Sequence, residues 1–266
     1  MIIFTNNPLS SLLMDNIQAK KILLVINKPE KSGFFSKYAR SEGITVESWS
    51  KYLKKPNTDN ELAVVFSFSY VIPSKIIKLF NGKLLNIHPS ILPKFRGPSP
   101  LQSSILTGGK IGYSIIKVNE KIDCGEIVIQ KNISNKNNTY EKLLKKILLS
   151  AAKEINKLNK ITKIKSTKQD NSKATYCQKI RSSDLKITDS DNPESAMRKI
   201  LCYFPKEKAY FLIQDKKFII WQAKKSSKKL IVEKIQPEGK KPMSTQDFRN
   251  GYPKLLTKFP DFVRIH

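Results

Sequence analysis

Two polar residues separated by one apolar residue, Asn86 and His88, lie in the run Leu85-Asn86-Ile87-His88. In a strand, residues two apart point to the same face, so an amide donor and an imidazole would project side by side. The Pro- and Gly-containing stretch that follows, from Pro89 through Gly97 to Pro100, ends the strand and forms a rigid loop. In open parallel sheets, ligands bind beyond the carboxyl ends of the strands, which is where this pair would stand. An amide donor beside an imidazole suits stabilisation of a developing oxyanion and movement of a proton. The plainer alternative is a surface Asn with a histidine that only satisfies backbone groups. Against it, His88 is one of only two histidines, the other being the last residue. Asp123, in Asp123-Cys124-Gly125-Glu126, falls in a turn between two strand candidates and could face back toward the sheet end. A carboxylate there would fix the imidazole tautomer and favour its protonated form, although an Asp-x-Gly turn is also a common structural device. Cys124 reads as a packing residue, because no further internal histidine exists to pair with it.

The elements needed to hold these residues follow from the hydrophobic pattern. Strands are predicted over 1–5, 21–26, 44–46, 62–67 and 83–87, with helices over 9–19, 34–41 and 74–80, the last after Pro73. This alternation predicts an α/β fold with a Rossmann-like, mostly parallel sheet. Strands over 110–119 and 126–130 flank the Asp123 turn. A long helix over 140–159, N-capped by Thr139, places Leu143, Leu144, Ile147, Leu148, Ala151, Ile155 and Leu158 on one stripe. Residues 161–173 are polar, Lys-rich and aperiodic and read as a linker, dividing a catalytic domain over 1–160 from a second domain over 174–266. That second part carries a helix near 193–202 and strands over 209–213, 218–222 and 229–235, with Asp215-Lys216-Lys217 as a turn. It is a small β-rich module of barrel or half-barrel type.

No apolar run approaches the roughly 20 residues of a membrane helix, and the first residues read as a strand and not as a targeting segment. A soluble, cytoplasmic protein without a membrane partner is expected. The three cysteines are odd in number and lack metal spacing, so neither a disulfide framework nor a metal is expected. The formal net charge is +27. That suits a polyanionic partner, nucleic acid first. It is also what compositional drift would give, since the basic residues are mostly Lys beside many Ile and Asn. Charge makes RNA binding easy without making it specific.

The run from Asn86 to Pro100, with Gln102 and then Glu120-Lys121-Ile122-Asp123-Cys124-Gly125, resembles the core shared by folate-dependent formyl-transfer enzymes. The resemblance implies a catalytic triad of Asn86, His88 and Asp123, and a folate site lined by Ser90, Ile91, Leu92 and Pro93. Ser69-Tyr70-Val71-Ile72-Pro73 looks like the family's loop over the pterin end. In the second half, Ala174-Thr175-Tyr176-Cys177-Gln178-Lys179-Ile180 and Ile235-Gln236-Pro237-Glu238-Gly239-Lys240-Lys241-Pro242-Met243-Ser244, followed by Gln246-Asp247-Phe248, resemble the methionyl-tRNA formyltransferases. That branch implies a monomer using 10-formyltetrahydrofolate and methionyl-tRNA, with a shortened oligonucleotide-binding (OB-like) barrel that contacts tRNA. The alternative within the superfamily is formyl transfer to an amino sugar or a nucleotide amine. Two departures stand out. The basic loop after the second strand is trimmed to Lys28-Pro29-Glu30-Lys31-Ser32-Gly33, and only residues 223–229 separate two barrel strands.

Overall fold

Short runs of β-branched and aromatic residues build the first sheet. The computed structural model describes every residue except 32, 59, 60, 136, 137, 206 and 266, and the side chain of residue 30 is likewise outside the description. Strands β1 (Ile2–Thr5), β2 (Leu23–Ile26), β3 (Thr45–Ser48), β4 (Ala63–Phe66) and β5 (Leu84–His88) run parallel. β6 (Gly112–Lys117) and β7 (Ile127–Asn132) join antiparallel, giving the order β3-β2-β1-β4-β5-β6-β7. The mostly parallel α/β sheet is the one the sequence pattern predicts.

The helices are α1 (Ser11–Met14), α2 (Gly33–Glu42), α3 (Trp49–Lys54), α4 (Ser74–Leu79), α5 (Pro100–Thr107) and α6 (Tyr140–Leu158). The helix predicted over 9–19 shrinks to a 3-10 turn, Pro8–Ser10, and the four residues of α1. Side chains compete for the backbone beyond it: Asn16 Nδ2 donates to Leu12 O, and Gln18 N donates to Asn156 Oδ1. α3 and α5 were not predicted. α3 is as short as α4 but has no proline to mark its first turn, and α5 starts on Pro100 inside a stretch that reads as loop. In the trimmed loop, Pro29–Lys31 forms one 3-10 turn leading to α2; Ser32 and the Glu30 side chain lie outside the described residues.

The chain divides into two compact units. The first comprises Met1–Pro100, Ile111–Ser134 and Leu144–Cys177, and the second comprises Leu101–Lys110, Asn135–Leu143 and Gln178–His266. The segment over 161–173, expected as a linker, is instead bonded along the first unit. Thr167 and Ile127 exchange backbone hydrogen bonds of 2.8 Å in both directions, and Gln169 and Asn171 also bond into it. Its polar composition reflects hydrogen bonds to the protein and not only to water.

Phe4 anchors the first unit's core. Fully buried on β1, it meets Trp49, Tyr52, Phe68 and Phe80 at ring-centroid separations of 5.3–6.2 Å, each edge-on. The predicted stripe of α6 is buried throughout.

The second unit holds a six-stranded sheet of β8 (Lys186–Ile187), β9 (Tyr210–Ile213), β10 (Lys216–Lys225), β11 (Leu230–Pro237), β12 (Met243–Ser244) and β13 (Val263–Ile265). Its helices are α7 (Pro193–Tyr203), N-capped by Asn192, and α8 (Thr245–Gly251). The hairpin turn after β9 is Gln214-Asp215, with φ of 49° and 59°. Two consecutive positive φ values match the twist of a two-residue hairpin, so Lys216 and Lys217 lie in β10 and not in the turn. Truncating Phe4 to Ala should cost about 3–5 kcal/mol, read as a lower urea midpoint at unchanged m-value. A loss below about 1 kcal/mol would show that the aromatic cluster is not the core.

Candidate active site

β5 is the strand next to the switch from parallel to antiparallel pairing, and its last residues deliver the site. Asn86 pairs in register with Val65 of β4 and Ile116 of β6, and His88 with Ser114 of β6. Both side chains leave the same face and converge on one carboxylate. Asn86 Nδ2 donates to Asp123 Oδ1 at 3.3 Å, and His88 Nδ1 lies 3.3 Å from the same oxygen. The sequence-predicted triad is thus one hydrogen-bonded cluster. Its imidazole is 4% exposed and its carboxylate side chain 10% exposed.

The other ring nitrogen, His88 Nε2, is 2.9 Å from the Phe95 carbonyl oxygen. Carboxylate and carbonyl both only accept, so a neutral ring can donate to one of them and a doubly protonated ring to both. Asp123 Oδ2 accepts from the Gly97 amide at 2.9 Å. Burial pushes the Asp123 carboxyl up, but the hydrogen bond and charge of His88, the Gly97 amide and the Arg96 guanidinium outweigh it. Together they hold it below its ordinary value.

Two glycines make this approach possible. A Cβ on Gly125 would stand 1.6 Å from the Lys117 carbonyl oxygen, so only Gly lets the Asp123 turn fold back across β6. At Gly97, φ is +117° and a Cβ would lie 2.6 Å from the Cys177 carbonyl oxygen. Asp123 itself takes a φ of 54°, a left-handed conformation that Asp tolerates better than most residues.

The four residues expected to line a folate site form the turn after β5. Ser90 and Leu92 are buried, with Ser90 Oγ donating to Lys94 O at 2.7 Å. Ser114 Oγ donates to Ser90 O and Gln130 Nε2 to Leu92 O, at 2.8 and 2.6 Å. Ile91 and Pro93 are half-buried. The turn is therefore a hydrogen-bonded floor, with Ile91 and Pro93 supplying open apolar surface. On neighbouring loops, Val71, Ile122 and Tyr70 are 69%, 65% and 41% exposed. Ser74 Oγ donates to Glu120, tying the loop that carries Val71 to the one that carries Ile122. The Cys124 thiol donates to the Ile122 carbonyl oxygen at 3.2 Å, within its own turn. Among the described residues no group of three or more His, Cys, Asp or Glu could hold a metal, and no helix is long and apolar enough to cross a membrane. Sequence reasoning gave no role to Arg96 or Gln169, although Gln169 bonds to the Asp123 turn and to Arg96. Arg96 falls in the Pro- and Gly-containing loop and Gln169 in an aperiodic segment, so neither stands out by spacing.

A family model described as formyl transferase matches residues 4–158. A methionyl-tRNA formyltransferase of Pelagibacter ubique is 31% identical over 226 residues, covering 76% of this chain and 72% of its own. Among solved structures, the methionyl-tRNA formyltransferase from Clostridium thermocellum superposes with a TM-score of 0.64 at 20% identity, covering 89% of this chain and 97% of that one. A 4-N formyltransferase from Francisella tularensis superposes at 0.65 with 21% identity, covering 83% and 95%. At such identities the two structures speak for the fold alone.

A carboxyl held low by folding adds stability that is complete above the unfolded-chain value of about 3.9 and is lost as pH falls through the folded-state value. The stability gap between the native chain and Asp123→Asn should therefore stay level from about pH 7 to about 5 and narrow below about 4, read by denaturant titration at each pH. A gap that widens on acidification would contradict the depressed carboxyl.

Proposed function

We propose that this chain, which belongs to the formyl transferase family, transfers the formyl group of 10-formyltetrahydrofolate to the α-amino group of methionyl-tRNA, giving N-formylmethionyl-tRNA for translation initiation. The observation that carries this reading is the convergence of Asn86 and His88 on the buried Asp123 carboxylate at a strand end. The acceptor is supported by the curated relatives named methionyl-tRNA formyltransferase. The match in Pelagibacter ubique takes in 76% of the chain, more than the segment 4–158 holds.

The folate supplies an activated formyl group, and the protein supplies placement. Exposed Val71, Ile122 and Tyr70, with half-buried Ile91 and Pro93, fit the apolar faces of a pteridine. Asn86 spends one amide hydrogen on Asp123, leaving the other to meet the oxyanion that forms as the amine attacks. Asp123, ionised before attack, orients His88 and takes the amine proton, directly or through water. As the tetrahedral intermediate collapses, the bond from the formyl carbon to N10 breaks and that proton passes to the leaving folate nitrogen. His88 Nδ1 stands against the same carboxylate oxygen and fixes its position from inside the protein.

The second unit would face the tRNA. We read its sheet as a reduced OB-like barrel, with Lys216, Lys217, Lys224, Lys225 and Lys234 exposed on β10 and β11. Such lysines bind the phosphate backbone by releasing counterions, independent of sequence.

Methionyl-tRNA incubated with 10-formyltetrahydrofolate and the protein should yield formylmethionine after hydrolysis of the ester. Formylation of an amino-sugar nucleotide, with none of methionyl-tRNA, would overturn the acceptor. Asn86→Ala should lower kcat about 100- to 1,000-fold, the loss typical of an oxyanion donor. His88→Ala should fall by a similar order while tRNA affinity in filter binding stays native, because the ring is internal. Near-native turnover in either variant would remove these residues from the reaction.

A further inference from the structure

Arg96 is only 2% exposed, yet it is a guanidinium. Its side-chain hydrogen bonds run to neutral groups: Gln169 Oε1 accepts from Nε at 3.2 Å and from Nη2 at 2.7 Å, Asn171 Oδ1 accepts from Nη2 at 2.8 Å, and the Tyr176 hydroxyl oxygen accepts from Nη1 at 3.5 Å. A buried charge bonded to neutral groups is costly to keep, so its placement calls for a reason.

Gln169 points to one. Its Oε1 grips the guanidinium, and its Nε2 donates to the Asp123 and Gly125 carbonyl oxygens at 2.8 and 2.7 Å. One amide therefore spans from Arg96 to both sides of the turn that carries the carboxylate. The main chain around Arg96 holds the rest of the cluster. Phe95 O takes His88 Nε2, and Gly97 N donates to Asp123 Oδ2, each at 2.9 Å. Arg96 N and O are themselves bonded to Thr175 O and Cys177 N, each at 2.8 Å. Arg96 thus sits between the two backbone groups that touch the imidazole and the carboxylate, and Gln169 joins that loop to the Asp123 turn.

We propose that Gln169 and Arg96 are positioning residues for the transfer reaction, a clasp that fixes Asp123 against His88 and Asn86 and sets a fixed positive charge behind the carboxylate. The inference rests on the formyl-transfer reading above for its kinetic consequence, but its geometric consequence concerns the protein alone. A clasp that merely cemented the fold would change stability and kcat together. One that positions the carboxylate can be loosened at the turn while the fold stays intact.

Gln169→Glu makes that separation. The new carboxylate still accepts from Arg96, and more strongly, but it turns an acceptor toward the Asp123 and Gly125 carbonyls where an N–H donor had been. The variant should still fold with a single cooperative melt, because the stronger bond to Arg96 offsets part of the lost donation. We expect kcat to drop by about 10- to 100-fold, the scale of a loss from misplacing a reacting group by about 1 Å, with KM for both substrates within about twofold. The independent readout is the His88 imidazole. With two histidines in the chain, its ring 15N and 1H signals are assigned by their loss in His88→Ala. They should shift in Gln169→Glu with no substrate present. Asp170→Ala serves as the comparison. Asp170 lies on the same segment, where it accepts from Ser172 N and pairs with Lys173 at 2.9 Å, and its loss should leave kcat and the His88 signals native.

A native chain inert toward methionyl-tRNA, with His88 signals moved by Gln169→Glu, would sink the functional reading and leave the clasp standing. An active native chain whose Gln169→Glu variant keeps native kcat and native His88 signals overturns the clasp. Should Gln169→Glu fail to fold, Arg96→Lys gives the same two readouts, because Lys keeps the charge but loses the fork that holds Gln169. Native kcat in folded Arg96→Lys would equally overturn it.

Discussion

An ionised carboxylate buried at the end of a strand is the constraint around which the first unit is arranged. Taking such a group out of water costs several kcal/mol even after relaxation, and it persists only if every lone pair that faces the protein is met. At Asp123 the donors are His88, Asn86 and the Gly97 amide. Hydrogen bonds to a charged group are each worth about 1.5–3 kcal/mol, so three of them roughly offset that cost, while losing one leaves a deficit. This is why distant features are tied to one side chain. Gly125 must lack a Cβ for the turn to clear Lys117, and Gly97 must adopt a left-handed φ for its amide to aim at Oδ2. β5 must keep its register against β4 and β6 so that Asn86 and His88 face the same way.

That dependence explains which parts of the site could be read from sequence. Asn86 and His88 were legible because a strand has a strict period of two, so spacing alone fixes their common face. Gly125 marked Asp123 as a turn residue, but such turns are common, and it was the family resemblance that gave the carboxylate a role. Arg96 and Gln169 were not legible, since their partners lie 73 positions apart and no local period links them. The same reason hid the attachment of residues 161–173. A segment with no amphipathic stripe reads as a linker, and only the fold shows Thr167 paired to Ile127 and Gln169 bonded to the Asp123 turn. Long, strongly periodic elements such as α6 were placed to within a residue, whereas β8 and β12, two residues each, are too short for a pattern to be recognised.

The formal charge of +27 belongs to a different level of the argument. Exposed lysines act through solvent, over a screening length of about 8 Å at physiological ionic strength. They can gather a polyanion without choosing among polyanions. The buried cluster acts over hydrogen-bond distances that salt hardly touches. Surface charge therefore bears on capture and the carboxylate cluster on chemistry, and neither substitutes for the other. A chain that drifted toward lysine would gain the first without the second. The converse argument is the stronger one: composition alone does not bring an amide, an imidazole and a carboxylate together at a strand end, with glycines where a methyl group would block the approach. The cluster therefore weighs more than the charge in reading what this chain does.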